Sequence, residues 1–389
     1  MKTCRSALVL VLGCWSGVVA QNRNKVDINT ETPEGQMLQQ IGAEQDQAKK
    51  IAMMEEFLGK YASHSSVAWV LGQLHAQYLK ANQFDKVFPV AEKLVAFDAS
   101  DAEMAYGGLQ AAVAKNDPAM IIKWADVTAE AARKGAKTPK PADEDELPRW
   151  EYKVKFSEQV QDRCEYEILS AALRLPDLNQ KIQMIEAMGR IFPQSKYTSQ
   201  LDELHFQCWR QLNNPDKAAE VAANCVAKGT AGEDMLLFLA NATFDKKDYD
   251  KTVEYSTKLV DLLKTKPVPQ GADPAAWENK KKVSMAAGYF LKGMVFAGQN
   301  KWNESDVVLR EALPFMEGNE ALLGPTYFQL GLANYRLGAA PPGKKPDLKR
   351  VQDALAFNQK AAAIKGNHQA QAVKNVSVIR TQYGQYGIK

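Results

Sequence analysis

The sequence predicts an all-α protein built from stacked antiparallel helix pairs. Three observations lead there. Segments with helical apolar spacing recur along the chain, a turn rich in Asn and Asp divides each unit in two, and the unit returns after 34 residues. No stretch of any length shows the period of two that a half-buried strand requires.

The clearest copy starts at Leu74 and Tyr78, turns at Asn82-Gln83-Phe84-Asp85, and continues through Val87, Ala91 and Leu94. Thirty-four residues on, Gly108, Ala112, Ile121 and Ala125 fill the places of Leu74, Tyr78, Val87 and Ala91. The turn returns as Asn116-Asp117-Pro118, with proline at a first helical position, where its missing N–H costs nothing. Downstream copies surround Asn213-Asn214-Pro215-Asp216, Lys247-Asp248-Tyr249-Asp250 and Asn300-Lys301-Trp302-Asn303. Leu330-Gly331 opens a further copy, whose second helix carries Ala354 and Ala361. Two weaker copies match each other, Lys50-Ile51 through Tyr61 and Lys181-Ile182 through Phe192-Pro193. Small residues at recurring places (Ala91, Ala125, Ala222, Gly293, Ala312) are expected where helices approach closely.

This pattern resembles the tetratricopeptide repeat, whose 34 residues run Trp, Leu-Gly, Tyr, then Ala, an aromatic, Ala and Pro. Leu330-Gly331, Ala218, Ala312 and Pro193 fit their slots, whereas Trp69 stands two positions from its own. About eight copies cover residues 36 to 366. The resemblance implies a right-handed superhelical solenoid of antiparallel helix pairs, with a last helix near His368 to Gln382 as a polar cap. The expected organisation is a signal peptide at 1–20, a polar disordered segment at 21–33, an array at 34–383 and a tail at 384–389. Charged and proline-rich insertions interrupt the array near 134–150, 264–281 and 339–350.

The first twenty residues read as an export signal. Lys2 and Arg5 precede the apolar run Ala7 to Leu12, and Val18-Val19-Ala20 supplies small residues for cleavage before Gln21. A rival route is lipid attachment at Cys14, within Val11-Leu12-Gly13-Cys14. An exported bacterial protein, periplasmic or secreted, is the expectation, and no later segment is apolar enough to span a membrane. Losing Lys2 and Arg5 with the signal takes the formal charge from +3 to +1, too little for a nucleic-acid partner. Cys164, Cys208 and Cys225 then remain, without metal or redox spacing, and are read as buried small hydrophobes.

The residues point to no chemistry. His64, His75, His205 and His368 form no zinc motif, and neither a nucleophile elbow nor a phosphate-binding loop is present. Gly107-Gly108 lies inside a helix with no preceding strand, and Asp143-Glu144-Asp145-Glu146 reads as a solvated run. No catalytic residue, metal ligand or cofactor is expected, and the protein is read as a non-enzyme.

Function is therefore expected in a surface. In the repeat that this chain resembles, the first helix of each pair lines a concave groove. One inward slot would hold Gly72, Tyr106, Tyr166, Glu203, Leu237, Phe290 and Phe328 in succession. A second would hold Leu79, Phe244 and Tyr335, with Arg210 and Arg336 beside or within it. Aromatics edged by arginine suit a peptide or protein segment, so Tyr106, Tyr166, Arg210, Phe244, Phe290, Phe328, Tyr335 and Arg336 are the candidate contacts. The bland reading is that aromatics at these slots only mark repeat ancestry. The carboxylate clamp by which some relatives grip chaperone tails lacks its Lys here, and only Asn241 stands in the neighbouring slot. A scaffold gripping a segment in its groove is the expectation. The alternative is a subunit of an envelope assembly that docks through edges and loops.

Overall fold

Helix starts and turns are set by short-range chemistry that repeats along the chain. A computed structural model describes residues 23–24, 26, 28–340 and 344–388. The signal segment with Cys14, and residues 341–343 of the last insertion, lie outside it. Among the described residues there are seventeen α-helices, three short 3-10 turns and no strand.

The chain divides into two compact units, Met1–Tyr197 and Thr198–Lys389. The first holds α1 (Pro33–Ala43), α2 (Gln47–Lys60), α3 (Val67–Lys80), α4 (Phe84–Phe97), α5 (Ala102–Lys115), α6 (Pro118–Gly135), α7 (Leu147–Arg174) and α8 (Leu178–Ile191). The second holds α9 (Thr198–Gln211), α10 (Pro215–Lys228), α11 (Glu233–Asp245), α12 (Tyr249–Thr265), α13 (Pro274–Gly298), α14 (Trp302–Ala312), α15 (Glu320–Gly338), α16 (Leu348–Ala363) and α17 (Gln369–Tyr383). That is four helix pairs in each unit, with α17 left over after the last.

One turn design joins five of these pairs. Asn82, Asn116, Asn213, Lys247 and Asn300 all take the left-handed conformation, with φ between 52° and 60°. In each, the next residue donates its N–H to a carbonyl five residues back, as Gln83 does to Tyr78 and Asp117 to Ala112. This closes the outgoing helix. In three of them that next residue also caps the incoming helix: Asp117, Asn214 and Asp248 accept from the N–H three residues on. One dipeptide thus ends one helix and begins another.

Packing follows neighbours. Within each unit consecutive helices touch, and some first helices also touch the next first helix: α3–α5 and α5–α7 in unit 1, α11–α13 and α13–α15 in unit 2. The core of unit 1 includes Leu38, Met54, Phe57, Leu74 and Leu94; that of unit 2 includes Phe206, Met235, Leu239, Leu259 and Trp277. Ala91, Ala125, Ala222 and Ala312 are fully buried. A side chain on Gly108 would sit 2.3 Å from the Trp124 ring, and one on Gly293 2.4 Å from Leu309, so bare backbone is required at both contacts. Cys164, Cys208 and Cys225 are buried thiols.

Two insertions are partly helical. The loop after α6 ends in a 3-10 turn at Glu144–Glu146, and α7 then runs 28 residues, twice the length of α3 or α5. The loop after α12 likewise feeds the 25 residues of α13. Within the stretch expected to be disordered, 21–33, some of the described residues make contacts. Arg23 pairs with Asp101 and Glu103, Val26 packs on the unit 1 core, and the Thr32 hydroxyl caps α1. A guanidinium and a valine in this polar stretch both find partners within the unit.

Candidate functional site

In unit 1, α3, α5 and α7 together with Leu94 and Phe97 at the end of α4 frame a cleft of about 480 Å³. α3 contributes Ala68, the start of α5 contributes Asp101, Ala102 and Glu103, and the extra turns of α7 contribute Arg149, Tyr152, Lys153, Phe156 and Ser157. Asp101 is the N-cap of α5, accepting from Met104 N–H at 3.3 Å, and Glu103 lies in its first turn. The positive end of the helix suits both carboxylates there.

Five of the charged groups lining the cleft are held in ion pairs, Arg149 being the sixth. Arg23 reaches Asp101 through Nε and, at 3.3 Å, through Nη2, which also donates to Glu103. Burial would lower the Arg23 pKa, but its two carboxylate partners raise it. The Tyr152 hydroxyl donates to Glu103 Oε1 at 3.0 Å. Lys153 Nζ donates to Asp98 Oδ2 at 2.8 Å and to Ser100 Oγ at 2.6 Å. Burial pushes the Asp98 carboxyl up, yet hydrogen bonds from Lys153 and from the Ser100 hydroxyl and N–H hold it below its usual range. Ser157 is fully buried, and its Oγ has no hydrogen-bond partner among the described residues.

The eight residues singled out from the sequence meet different fates. In unit 1, Tyr106 is half-buried with its ring edge-on to Phe156 at 6.3 Å, while Tyr166 is 58% exposed. In unit 2, Phe244 and Phe290 pack against the apolar core, Phe290 against a second cluster as well. Phe328 is half-buried on α15. Tyr335 is engaged by the last helix: its hydroxyl donates to Gln382 at 2.7 Å and its ring meets Tyr383. Arg210 lies over the Phe206 and Phe238 rings, and Arg336 over Trp302 at 6.0 Å. Sequence reasoning missed Asp98, Asp101, Glu103, Tyr152 and Lys153. Its one usable signal was the break in period before α7, which brings the extra residues to the cleft.

Among the described residues no group of three or more His, Cys, Asp and Glu is placed to hold a metal ion. Nor is any helix long and apolar enough to cross a membrane.

Helix pairs packed in sequence within each unit, five of them joined by one left-handed turn, decide the fold. The chain is an all-α helical-repeat protein. No family model and no curated protein matches it. Among solved structures, this repeat chain is similar to the Cut9-Hcn1 hetero-tetramer of the APC/C, at 13% identity and a TM-score of 0.31, over 86% of this chain and 52% of that one. The chain therefore spans about half the length of that structure's chain. It is also similar to the P58(IPK) TPR domain, at 13% identity and a TM-score of 0.25, over 92% of this chain and 100% of that one. A third is yeast Tom70, at 10% identity and a TM-score of 0.29, over 90% of this chain and 94% of that one. Overlays this loose carry no argument, so the repeat architecture rests on the pairs and turns themselves.

Proposed function

We propose that this repeat protein is a non-enzymatic scaffold of the cell envelope or the secreted space, binding a peptide or protein segment along the faces of its first helices. The observation that carries the reading is the cleft of unit 1, framed by α3, the end of α4, α5 and α7, in which the Arg23 side chain is already seated. A cleft that holds a side chain from elsewhere in the chain has polar groups suited to a peptide segment. Tyr166, exposed on α7, and Phe328 on α15 are the aromatic contacts that the helix packing leaves most available within their units. Phe290 serves the core, so its loss would report on folding.

Capture of envelope partners by the unchanged chain and by a Tyr166→Ala/Phe328→Ala chain tests the reading. The double variant should bind at least ~2 kcal/mol more weakly, the scale of a hot spot, with unchanged helical circular dichroism. Equal capture by a folded double variant overturns the face reading in favour of docking through edges and loops. Export rests on the charged, apolar and small-residue succession of residues 1–20. N-terminal sequencing of the exported protein should begin at Gln21; a diacylglycerol mass on Cys14 would mean a lipid anchor instead.

A further inference from the structure

Arg23 lies 78 residues from Asp101 in sequence, and its guanidinium is the group that fills the acidic end of the unit 1 cleft. We propose that this cleft is a recognition site for an arginine side chain on an extended polypeptide, that Arg23 is its resident occupant, and that a partner's arginine-bearing segment binds by displacing Arg23. The proposal rests on the scaffold reading above and names the site and the ligand chemistry within it.

The acceptor geometry selects a guanidinium. Nε and Nη2 of one side chain engage both oxygens of Asp101, and Nη2 engages Glu103 as well. A planar fork presents these donors in fixed directions, whereas a lysine offers one compact ammonium. The acceptors are also oriented by other groups. Met104 N–H holds Asp101, and the Tyr152 hydroxyl holds the Glu103 oxygen that Arg23 does not use. A site ordered before its ligand arrives loses less entropy on binding.

Room and polarity for a longer segment are present. The Arg23 stem passes the bare backbone of Gly72 on α3, where a Cβ would lie 3.5 Å from its Cβ and 3.6 Å from its Cδ. Beyond the ion pairs, the cleft holds about 480 Å³. Arg23 stands ten residues before Pro33, where α1 begins. A competitor on so short a tether acts at an effective concentration on the order of millimolar, so it suppresses ligands added from outside.

The test uses a fluorescein-labelled peptide of residues 21–30, Gln-Asn-Arg-Asn-Lys-Val-Asp-Ile-Asn-Thr, titrated by anisotropy into the full chain. Arg23→Glu in the chain places a negative charge against Asp101 and Glu103 and ejects the resident side chain. That chain should bind the peptide at least tenfold more tightly than the unchanged chain. Arg23→Lys in the peptide, or Asp101→Asn with Glu103→Gln in the ejected chain, should each weaken binding at least tenfold. Asn is as good an N-cap as Asp, so α5 keeps its start, and an unchanged melting curve verifies it. Equal binding to the unchanged and Arg23→Glu chains, or equal binding of the Arg and Lys peptides, overturns the proposal. Partner capture is a separate readout. Failed peptide binding beside a capture defect in the Tyr166→Ala/Phe328→Ala chain removes only the arginine site. Peptide binding as expected, beside capture that the aromatic pair does not alter, removes only the aromatic face.

Discussion

Lys247 sits in a backbone state that its four counterparts fill with asparagine. Its φ is 60°, against 52° to 59° for Asn82, Asn116, Asn213 and Asn300. In that state Cβ crowds the following carbonyl, which costs most residues ~1–2 kcal/mol; asparagine tolerates it through local hydrogen bonding by its short side chain. Lys247 is exposed, so its side chain has little packing to lose. Lys247→Asn should therefore raise stability by ~0.5–1 kcal/mol. Chemical denaturation should show a higher midpoint with an unchanged slope; a lower midpoint would mean that the lysine stem offsets the strain. The turn was legible because asparagine there has a local cause. The carboxylates of the cleft were not, for the converse reason. Asp101 reads as one more N-cap beside Asp46, Asp117, Asp177 and Asp248, and nothing near it in sequence announces a guanidinium 78 residues away.

At the scale of elements, 14-residue helices were readable from spacing alone, and the long ones were not. Proline and charge before α7 look like a loop, yet Pro148 and Pro274 occupy first-turn positions of α7 and α13, where proline starts a helix. The period therefore breaks at these points while the helix continues. In α7 the additional turns bring Arg149, Tyr152, Lys153 and Phe156 to the cleft, so the least regular element supplies most of one wall. α5 shows the opposite case, where a repeat position is kept bare for its neighbours. A side chain on Gly107 would lie 2.0 Å from the His75 ring of α3, while Gly108 clears the Trp124 ring of α6. Spacing shows that such positions are small; which partner they admit depends on two other helices.

Across the whole molecule, contacts between neighbouring helices make stability a local quantity, so acid should weaken each unit where its own titrating groups lie. In unit 1, burial pushes the His75 pKa down to about 4, helped by Arg23 and opposed by Glu103 and the Met104 backbone. Its Nε2 has no hydrogen-bond partner among the described residues, as a neutral ring tolerates. Between pH 6.5 and 4 the unfolded chain then holds the extra proton. Stability from this group is full above 6.5 and falls with pH through that window, by up to ~3 kcal/mol. In unit 2, burial would raise the Glu233 pKa, but hydrogen bonds from Lys266 and Lys280 hold it at about 2. That contribution is present above about 4.5 and is lost only as pH falls toward 2. Mild acid should therefore loosen α3 and α5 before α11 and α13. Hydrogen exchange at pH 6.5 and 5, corrected for intrinsic rates, should show protection falling in α3 and α5 and holding in α11 and α13. His75→Leu should make the α3 and α5 protection independent of pH in this window. A parallel loss in both sets of helices, or a loss that persists in His75→Leu, would mean that the buried imidazole does not set the acid response.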